Sequence, residues 1–383
     1  MSTASPTRKS VLVPRRFVSR LAAALWLAAL AWLLVTWSGH YPIDLDVYRL
    51  GGLAWLEGRS LYVGFTGPPL DPQLPFTYPP IAAVLFSGLS FVPGALLTPL
   101  VVASGFVALT AVCVAVAGEV RPDLRWTAGL LAAIGALALD PVWTTYGYGQ
   151  INLYLLVLVV VDVVLVKDVR WRGVLIGVAA AIKLTPAIFV LYFVVRRDWR
   201  AAITTTATSA GLAVAGFLVA PRDSLQYWLH SLLNPDRIGD MSLSTNQSIR
   251  GVLRGFGFAP GVETLLWAVL AAAVVAIAVL VARRTRDDLV ALFVIAGAGL
   301  LASPVSWLHH WVWCVPVLVF LALRGNAWPA FAAVFLVFVT RLHGFDTYVW
   351  LTVIALVVLA FRPVERRHGQ GVRVRAPSPR ASP

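Results

Sequence analysis

The fold of this chain is decided by the stretch LYLLVLVVVDVVLV, which runs from Leu153 to Val166. Its apolar residues are continuous, and Asp162 is its single charged residue. A membrane β-strand would instead alternate apolar and polar positions. In lipid, a backbone must satisfy its own hydrogen bonds, and a helix does so. The stretch therefore predicts a membrane-embedded helix over residues 151–166.

Apolar runs of this kind recur along the whole chain. Of its 383 residues, 59% are hydrophobic and 13% are charged, whereas a soluble domain carries about 25% charged residues. We predict an all-α, polytopic integral membrane protein with about 12 transmembrane or re-entrant helices. Residues 79–93 and 173–195 are predicted as short or re-entrant helices, the second hinged near Pro186. The other spans are predicted at 17–37, 95–117, 126–139, 151–166, 201–219, 263–282, 288–302, 311–323, 327–340 and 347–361.

The basic residues predict the orientation of these helices. The net charge of +13 lies in short clusters between apolar runs, which is typical of topology signals and not of a nucleic-acid groove. With a cytoplasmic N-terminus, 23 of the 31 Lys and Arg residues fall inside, seven fall outside and Lys183 lies within a span. This arrangement predicts a plasma-membrane protein. Its parts are a cytoplasmic basic N-terminus (1–16), a transmembrane domain (17–361), a disordered basic cytoplasmic tail (362–383) and extracytoplasmic loops at 38–80, 140–150, 220–262 and 303–310.

These four loops place carboxylates, amides, imidazoles and aromatic rings on one face of the membrane, which suits the binding of a sugar. Simpler interpretations exist for each feature. Asp44 and Asp46 are also explained as solvated acids or helix caps, and His309 and His310 as interfacial residues. Lys183 is harder to explain in this way, because an intramembrane cation is a functional hypothesis by default; its alternative is a side chain that snorkels to the interface.

Six motifs occur in an order that resembles a known family. They are IDLDVYRLGGLAWLEGRSLY, LPFTYPPIAAVLF, YGYGQINLYLL, GVAAAIKLTPAIFVLYFV, STNQSIRG and SPVSWLHHWVW. Together they resemble the actinobacterial polyprenyl-phosphate-mannose-dependent α-(1→2)-mannosyltransferases of the GT-C superfamily, over roughly residues 40–320. The resemblance implies about a dozen transmembrane helices, a polyprenyl-phosphate mannose donor, a glycolipid or glycan acceptor, and an active site at the outer membrane face. Membrane lipids are further expected partners, and nucleic acid is not.

The resemblance also implies roles for single residues. Asp44 matches the family's proposed catalytic base, with Asp46 as the second choice, and His309 and His310 match its paired histidines. The cations expected at the leaving phosphate are Lys183, Arg250 and one of the two histidines. No cofactor and no metal site are expected, although DLD at 44–46 formally fits a metal motif. The side chains expected to bind sugar hydroxyls and ring faces are Tyr48, Tyr78, Gln150, Asn152, Asn246, Gln247 and Trp307.

Two other functions remain open at this point. One is a transferase of the same fold that uses another sugar, such as arabinofuranose or glucose. The other is a transporter or flippase of lipid-linked sugars, in which broken helices usually recur at matching positions of two halves. The sequence shows one broken segment, near Pro186, and no matching partner.

Overall fold

The computed structural model describes residues 15–62, 65–67, 70–325, 327–340 and 342–362. Nearly the whole of this part is helical, and the predicted all-α, polytopic membrane class is confirmed. The α-helices are α1 Arg15–Thr36, α2 Ile43–Leu56, α3 Pro80–Phe86, α4 Gly94–Val120, α5 Arg125–Ala136, α6 Asp140–Tyr148, α7 Asn152–Val164, α8 Val174–Ile182, α9 Val190–Val195, α10 Trp199–Val219, α11 Pro221–Gln226, α12 Ile249–Gly255, α13 Pro260–Arg284, α14 Asp288–Ala302, α15 Cys314–Leu323, α16 Trp328–Val339 and α17 Thr347–Phe361.

Shorter elements connect these helices. An antiparallel hairpin of β1 Phe65–Gly67 and β2 Leu70–Leu74 follows α2. A π-helical turn covers Tyr227–Ser231. Short 3-10 helices occupy Ser87–Phe91, Pro122–Leu124, Thr185–Phe189, Pro235–Ile238, Leu308–Trp313 and Leu342–Phe345.

The ten predicted apolar spans all contain an α-helix of the structure. Four helices, α1, α4, α10 and α13, are long and apolar enough to cross a membrane alone. A fifth span results if α5 and α6, which meet at 72°, count as one broken span. The total of about 12 membrane segments therefore stays a prediction. The basic termini at 1–14 and 363–383 lie outside the described residues.

The core of the molecule surrounds α4. This helix packs against α1, α5, α7 and α15, and its apolar side chains are buried together with those of α7 and α14. Cys113 and Cys314 are both buried in this core as free thiols. A second, smaller cluster joins α2 to α3 through side chains that include Tyr48, Phe76 and Phe86.

The predicted re-entrant segment 173–195 is formed by α8 and α9 with a 3-10 turn between them. Arg172, just before α8, pairs with Asp198, just after α9, at 3.0 Å. The chain therefore enters and leaves at the same end of the bundle. The break lies at Lys183, whose backbone is extended after α8, and so begins three residues before the predicted hinge at Pro186. Nine helical residues rise about 14 Å, which carries Lys183 toward the opposite end.

Candidate active site

A cleft of about 750 Å³ lies at the end of the bundle where α10 and α14 finish and α13 begins. Its wall combines the first turn of α2, the break after α8, the end of α14 and the 3-10 helix Leu308–Trp313. The candidate residues found in its lining are Asp44, Tyr48, Tyr78, Gln150, Lys183, Trp307, His309 and His310. Residues far apart in the sequence are thus brought together by this end of the bundle.

The first turn of α2 separates the two acids of the DLD motif. The half-buried carboxylate of Asp44 faces the cleft and accepts a hydrogen bond from Gln150 Nε2 at 2.6 Å. Asp46 accepts a hydrogen bond from the Tyr41 hydroxyl and opens to a separate cleft of about 420 Å³ between α1, α2 and α4. The two carboxylates therefore face different spaces, as residues about 200° apart around a helix must.

A chain of hydrogen bonds holds the amide beside Asp44. The Tyr48 hydroxyl donates to Gln150 Oε1 at 2.9 Å, and the Tyr48 and Tyr78 hydroxyls lie 2.9 Å apart. All three of these side chains are buried. Because Gln150 Oε1 accepts the hydrogen bond from Tyr48, the amide NH₂ is turned toward the carboxylate. The network fixes both the position of Asp44 and the donor that contacts it.

Lys183 supplies a positive charge to the same cleft. Its Nζ donates to Asn152 Oδ1 at 3.1 Å and lies 3.1 Å from His310 Nε2. Nζ also lies 5.7 Å from the centroid of the Tyr78 ring. The break in the helix after Ile182 exposes this side chain to the cleft. Lys183 therefore points into the cleft, where its ammonium group has polar partners, and does not snorkel to an interface.

Both members of the histidine pair line the cleft, with different surroundings. His310 contacts Lys183, as above. The backbone carbonyl of His309 accepts from Asn152 Nδ2 at 2.9 Å and from Thr145 Oγ1 at 3.3 Å, which fixes the turn. Among the described residues, the buried Nε2 of His309 has no hydrogen-bond partner. This nitrogen has almost no accessible surface, because the ring packs edge-on against Tyr148 and His310.

The charge state of Asp44 is set mainly by its burial. Burial raises the pKa of the Asp44 carboxyl to about 6, whereas the hydrogen bond from Gln150 and the positive charge of Lys183 act in the opposite direction. The group lies in α2, outside the candidate membrane spans. A carboxylate with a pKa just below neutrality is ionised at pH 7 and is still a useful proton acceptor.

Five candidates lie away from the lining of this cleft: Asp46, described above, Asn152, Asn246, Gln247 and Arg250. Asn246 accepts from Ser306 N at 2.8 Å and Gln247 from Tyr348 N at 3.2 Å, so both buried amides tie loops together. Arg250 pairs with the buried Glu263 at 2.6 Å at the start of α13. Asn152 contacts the site indirectly, through Lys183 and the His309 carbonyl.

Two charged residues of the cleft, Arg237 and Asp240, were missed by the sequence reasoning. Arg237 lines the cavity from the segment between α11 and α12. It lies outside the six motifs, and its only signal in the sequence is membership of the small outer set of basic residues. Within the described residues, no group of three or more His, Cys, Asp or Glu side chains is arranged to hold a metal ion.

This combination defines a class of protein. A helical membrane protein places a carboxylate, an ammonium group and imidazoles around one cleft at the end of its bundle, as a membrane glycosyltransferase requires. The family follows from comparison with known proteins: the chain belongs to glycosyltransferase family 87, whose model matches residues 76–304. The enzyme class predicted from the sequence is thereby confirmed.

Curated relatives agree with this family. The chain is 39% identical to a polyprenol-phosphate-mannose-dependent α-(1-2)-phosphatidylinositol mannoside mannosyltransferase of Mycolicibacterium smegmatis, over 80% of this chain and 76% of the relative. The protein of that name in Mycobacterium tuberculosis is also 39% identical, over 80% and 75%. A pentamannoside mannosyltransferase of M. smegmatis is 33% identical, over 81% and 78%. No solved structure was found to match the chain.

Proposed function

We propose that this enzyme transfers mannose from polyprenyl-phosphate mannose to a mannose hydroxyl of a phosphatidylinositol mannoside, with inversion at the anomeric carbon. The donor and the class of acceptor are those in the names of the relatives. The single observation that carries the mechanism is the placement of Asp44. Its carboxylate shares one cleft with Lys183 and His310, whereas Asp46 faces another space.

The reaction is a displacement at the anomeric carbon of a β-mannosyl phosphate. The acceptor oxygen forms the new bond as the bond to the phosphate oxygen breaks, and Asp44 takes the hydroxyl proton. A general base within hydrogen-bond reach contributes about 10² to 10⁴ in rate. The polyprenyl phosphate leaves as a monoester with one more negative charge, and the product is an α-mannoside.

The developing charge on the phosphate is stabilised by Lys183 together with His310. Preorganised cations and donors at such a position act without having to reorient during the reaction. Arg250, the third sequence candidate for this role, forms an ion pair with Glu263 instead. The side chain of His309 lines the same cleft, and we assign it to a contact with the sugar.

We further propose that the cleft faces the extracytoplasmic side of the plasma membrane. The distribution of the 31 Lys and Arg residues supports this orientation. Both substrates are anchored by lipid, so a base in α2, directly after the first span, lies within reach of their sugars.

Paired variants test the base. We expect Asp44→Asn to lower kcat by about 10² to 10⁴, whereas Asp46→Asn should change it less than about tenfold. The assay uses purified protein in detergent with polyprenyl-phosphate mannose and a phosphatidylinositol mannoside. Because detergent has no compartments, product formation also excludes a purely transport role. Near-normal turnover of Asp44→Asn beside an inactive Asp46→Asn would show that the base is assigned to the wrong carboxylate.

A further inference from the structure

A second cation lies in the wall of the cleft, apart from the Lys183–His310 pair. Arg237 belongs to the 3-10 helix Pro235–Ile238, and its half-buried side chain lines the cleft. Its Nη1 donates to the Phe76 carbonyl at 3.2 Å, and the guanidinium carbon lies 5.5 Å from the centroid of the Tyr62 ring. These contacts hold the guanidinium in place and leave other N–H groups unused.

The nearby carboxylates do not neutralise Arg237. Asp236 pairs with Arg254 at 3.0 Å, and Asp240 accepts from the backbone N and the hydroxyl of Ser242 at 2.9 and 2.6 Å. Among the described residues, Arg237 has no ion pair and no hydrogen-bond partner other than the Phe76 carbonyl. Burial lowers the pKa of this guanidinium. A partly desolvated cation with unused donors is stabilised by an anion.

Lys183 and Arg237 contact the same short segment of the cleft wall, residues 76–78, at its two ends. Lys183 lies over the Tyr78 ring, whereas Arg237 is bonded to the carbonyl of Phe76, two residues earlier. The proposed reaction likewise brings two lipid phosphates to this cleft. One belongs to the donor, and the other links the inositol of the acceptor to its lipid.

We propose that Arg237 binds the phosphate group of a lipid-linked substrate, at a position distinct from the Lys183–His310 pair. A guanidinium presents parallel N–H donors that match two phosphate oxygens, which an ammonium group does not. This inference rests on the proposed function, because it takes both substrates to be lipid-linked phosphodiesters. The proposed contact between Arg237 and a phosphate would hold the substrate in the cleft without involving the bond that reacts.

Binding without transfer tests this site. The probes are two pairs of lipids in which only one member carries a phosphate: polyprenyl phosphate against polyprenol, and phosphatidylinositol against diacylglycerol, which lacks the whole phosphoinositol group. Affinities are measured in nanodiscs for the wild-type protein, Arg237→Gln, Arg237→Lys and Arg222→Gln. Arg222 is the matched control, because it is exposed on α11 and lies outside the cleft lining.

We expect Arg237→Gln to weaken binding of one phosphate-bearing lipid by about ten- to a hundredfold and to leave binding of its uncharged counterpart unchanged. Arg237→Lys should recover part of the loss, and Arg222→Gln should behave as wild type. A loss confined to the polyprenyl pair identifies the donor phosphate, and a loss confined to the inositol pair identifies the acceptor. Equal affinities of Arg237→Gln and wild type for both phosphate lipids would overturn the proposal.

A second measurement needs no variant and so does not depend on folding of Arg237→Gln. Phenylglyoxal modifies accessible arginines, and mass spectrometry reports each site. The phosphate-bearing lipid should protect Arg237 of the wild-type protein, and the uncharged lipid should not. Equal modification with both lipids would refute the site. Neither experiment requires mannose transfer, so a wild-type protein that fails to transfer mannose counts against the proposed function alone.

Discussion

At the scale of single residues, the two acids of α2 show what a sequence can indicate. The DLD motif marks Asp44 and Asp46 as candidates, but their order of importance came only from the family resemblance. The structure separates them, because residues 43–56 form a helix and the two side chains point to different clefts. The motifs identify Gln150 and Lys183 as candidates, whereas their positions near Asp44 depend on the packing of the bundle.

The surroundings of Asp44 predict how the activity of the enzyme depends on pH. The pKa of Asp44 is raised to about 6 by burial, and the hydrogen bond from Gln150 lowers it. We expect kcat/KM of the wild-type enzyme to fall about tenfold per pH unit below pH 6, because the base becomes protonated. Gln150→Met removes a donor that stabilises the carboxylate. The acid limb of the pH profile should therefore move to higher pH.

Full pH profiles of kcat/KM distinguish this effect from simple structural damage. A variant that only loosens the site lowers the rate equally at every pH, and its midpoint stays where the wild type has it. The matched control is Gln226→Met, since Gln226 is exposed at the end of α11. A midpoint for Gln150→Met at or below the wild-type value would contradict the role given to this amide.

At the scale of elements, sequence patterns predicted the apolar helices and missed the polar ones. The continuous runs identify their helices because lipid leaves the backbone no alternative. Helix α2 lies within the predicted loop 38–80. Its sequence IDLDVYRLGGLAWL carries three charges and two adjacent glycines, and glycine is a poor helix former. Its fold depends on packing against α3 and the following turn, a tertiary effect that local propensity does not contain.

The glycine pair of α2 yields a prediction about that packing. A Cβ at Gly52 would lie 2.6 Å from the backbone N and Cα of Ser87, which cannot move aside like a flexible side chain. We expect Gly52→Ala to cost about 1–3 kcal/mol of stability through overpacking. It should also lower kcat, because a displaced α2 carries Asp44 away from the Lys183–His310 pair.

Thermal unfolding and turnover in detergent check this expectation. Gly88→Ala is the matched control, because a Cβ at Gly88 meets no atom within 4 Å although it lies beside the same contact. Equal melting temperatures and turnover for the Gly52→Ala and Gly88→Ala proteins would show that α2 is not held by this close approach.

At the scale of the whole molecule, the two ends of the bundle differ in chemistry. One end gathers the short basic connections: Arg196 donates to the carbonyls of Thr285 and Asp287 at 2.8 and 2.9 Å, and Arg324 pairs with the Asp287 carboxylate. The other end holds the cleft. The sequence predicted this division from charge alone, but the depth of Lys183 and the cleft itself required the re-entrant hairpin of α8 and α9.

We predict that the cleft end of the bundle lies outside the cell and the basic end lies in the cytoplasm. The two native cysteines are buried, so a new surface cysteine can be labelled selectively. Ser244→Cys places a thiol on the exposed loop beside the cleft, and Val169→Cys places one on the exposed basic end. A membrane-impermeant maleimide should label position 244 in right-side-out vesicles and position 169 in inside-out vesicles. Because one reagent is applied to both variants in both vesicle orientations, the reverse pattern would place the cleft in the cytoplasm and contradict an extracytoplasmic reaction.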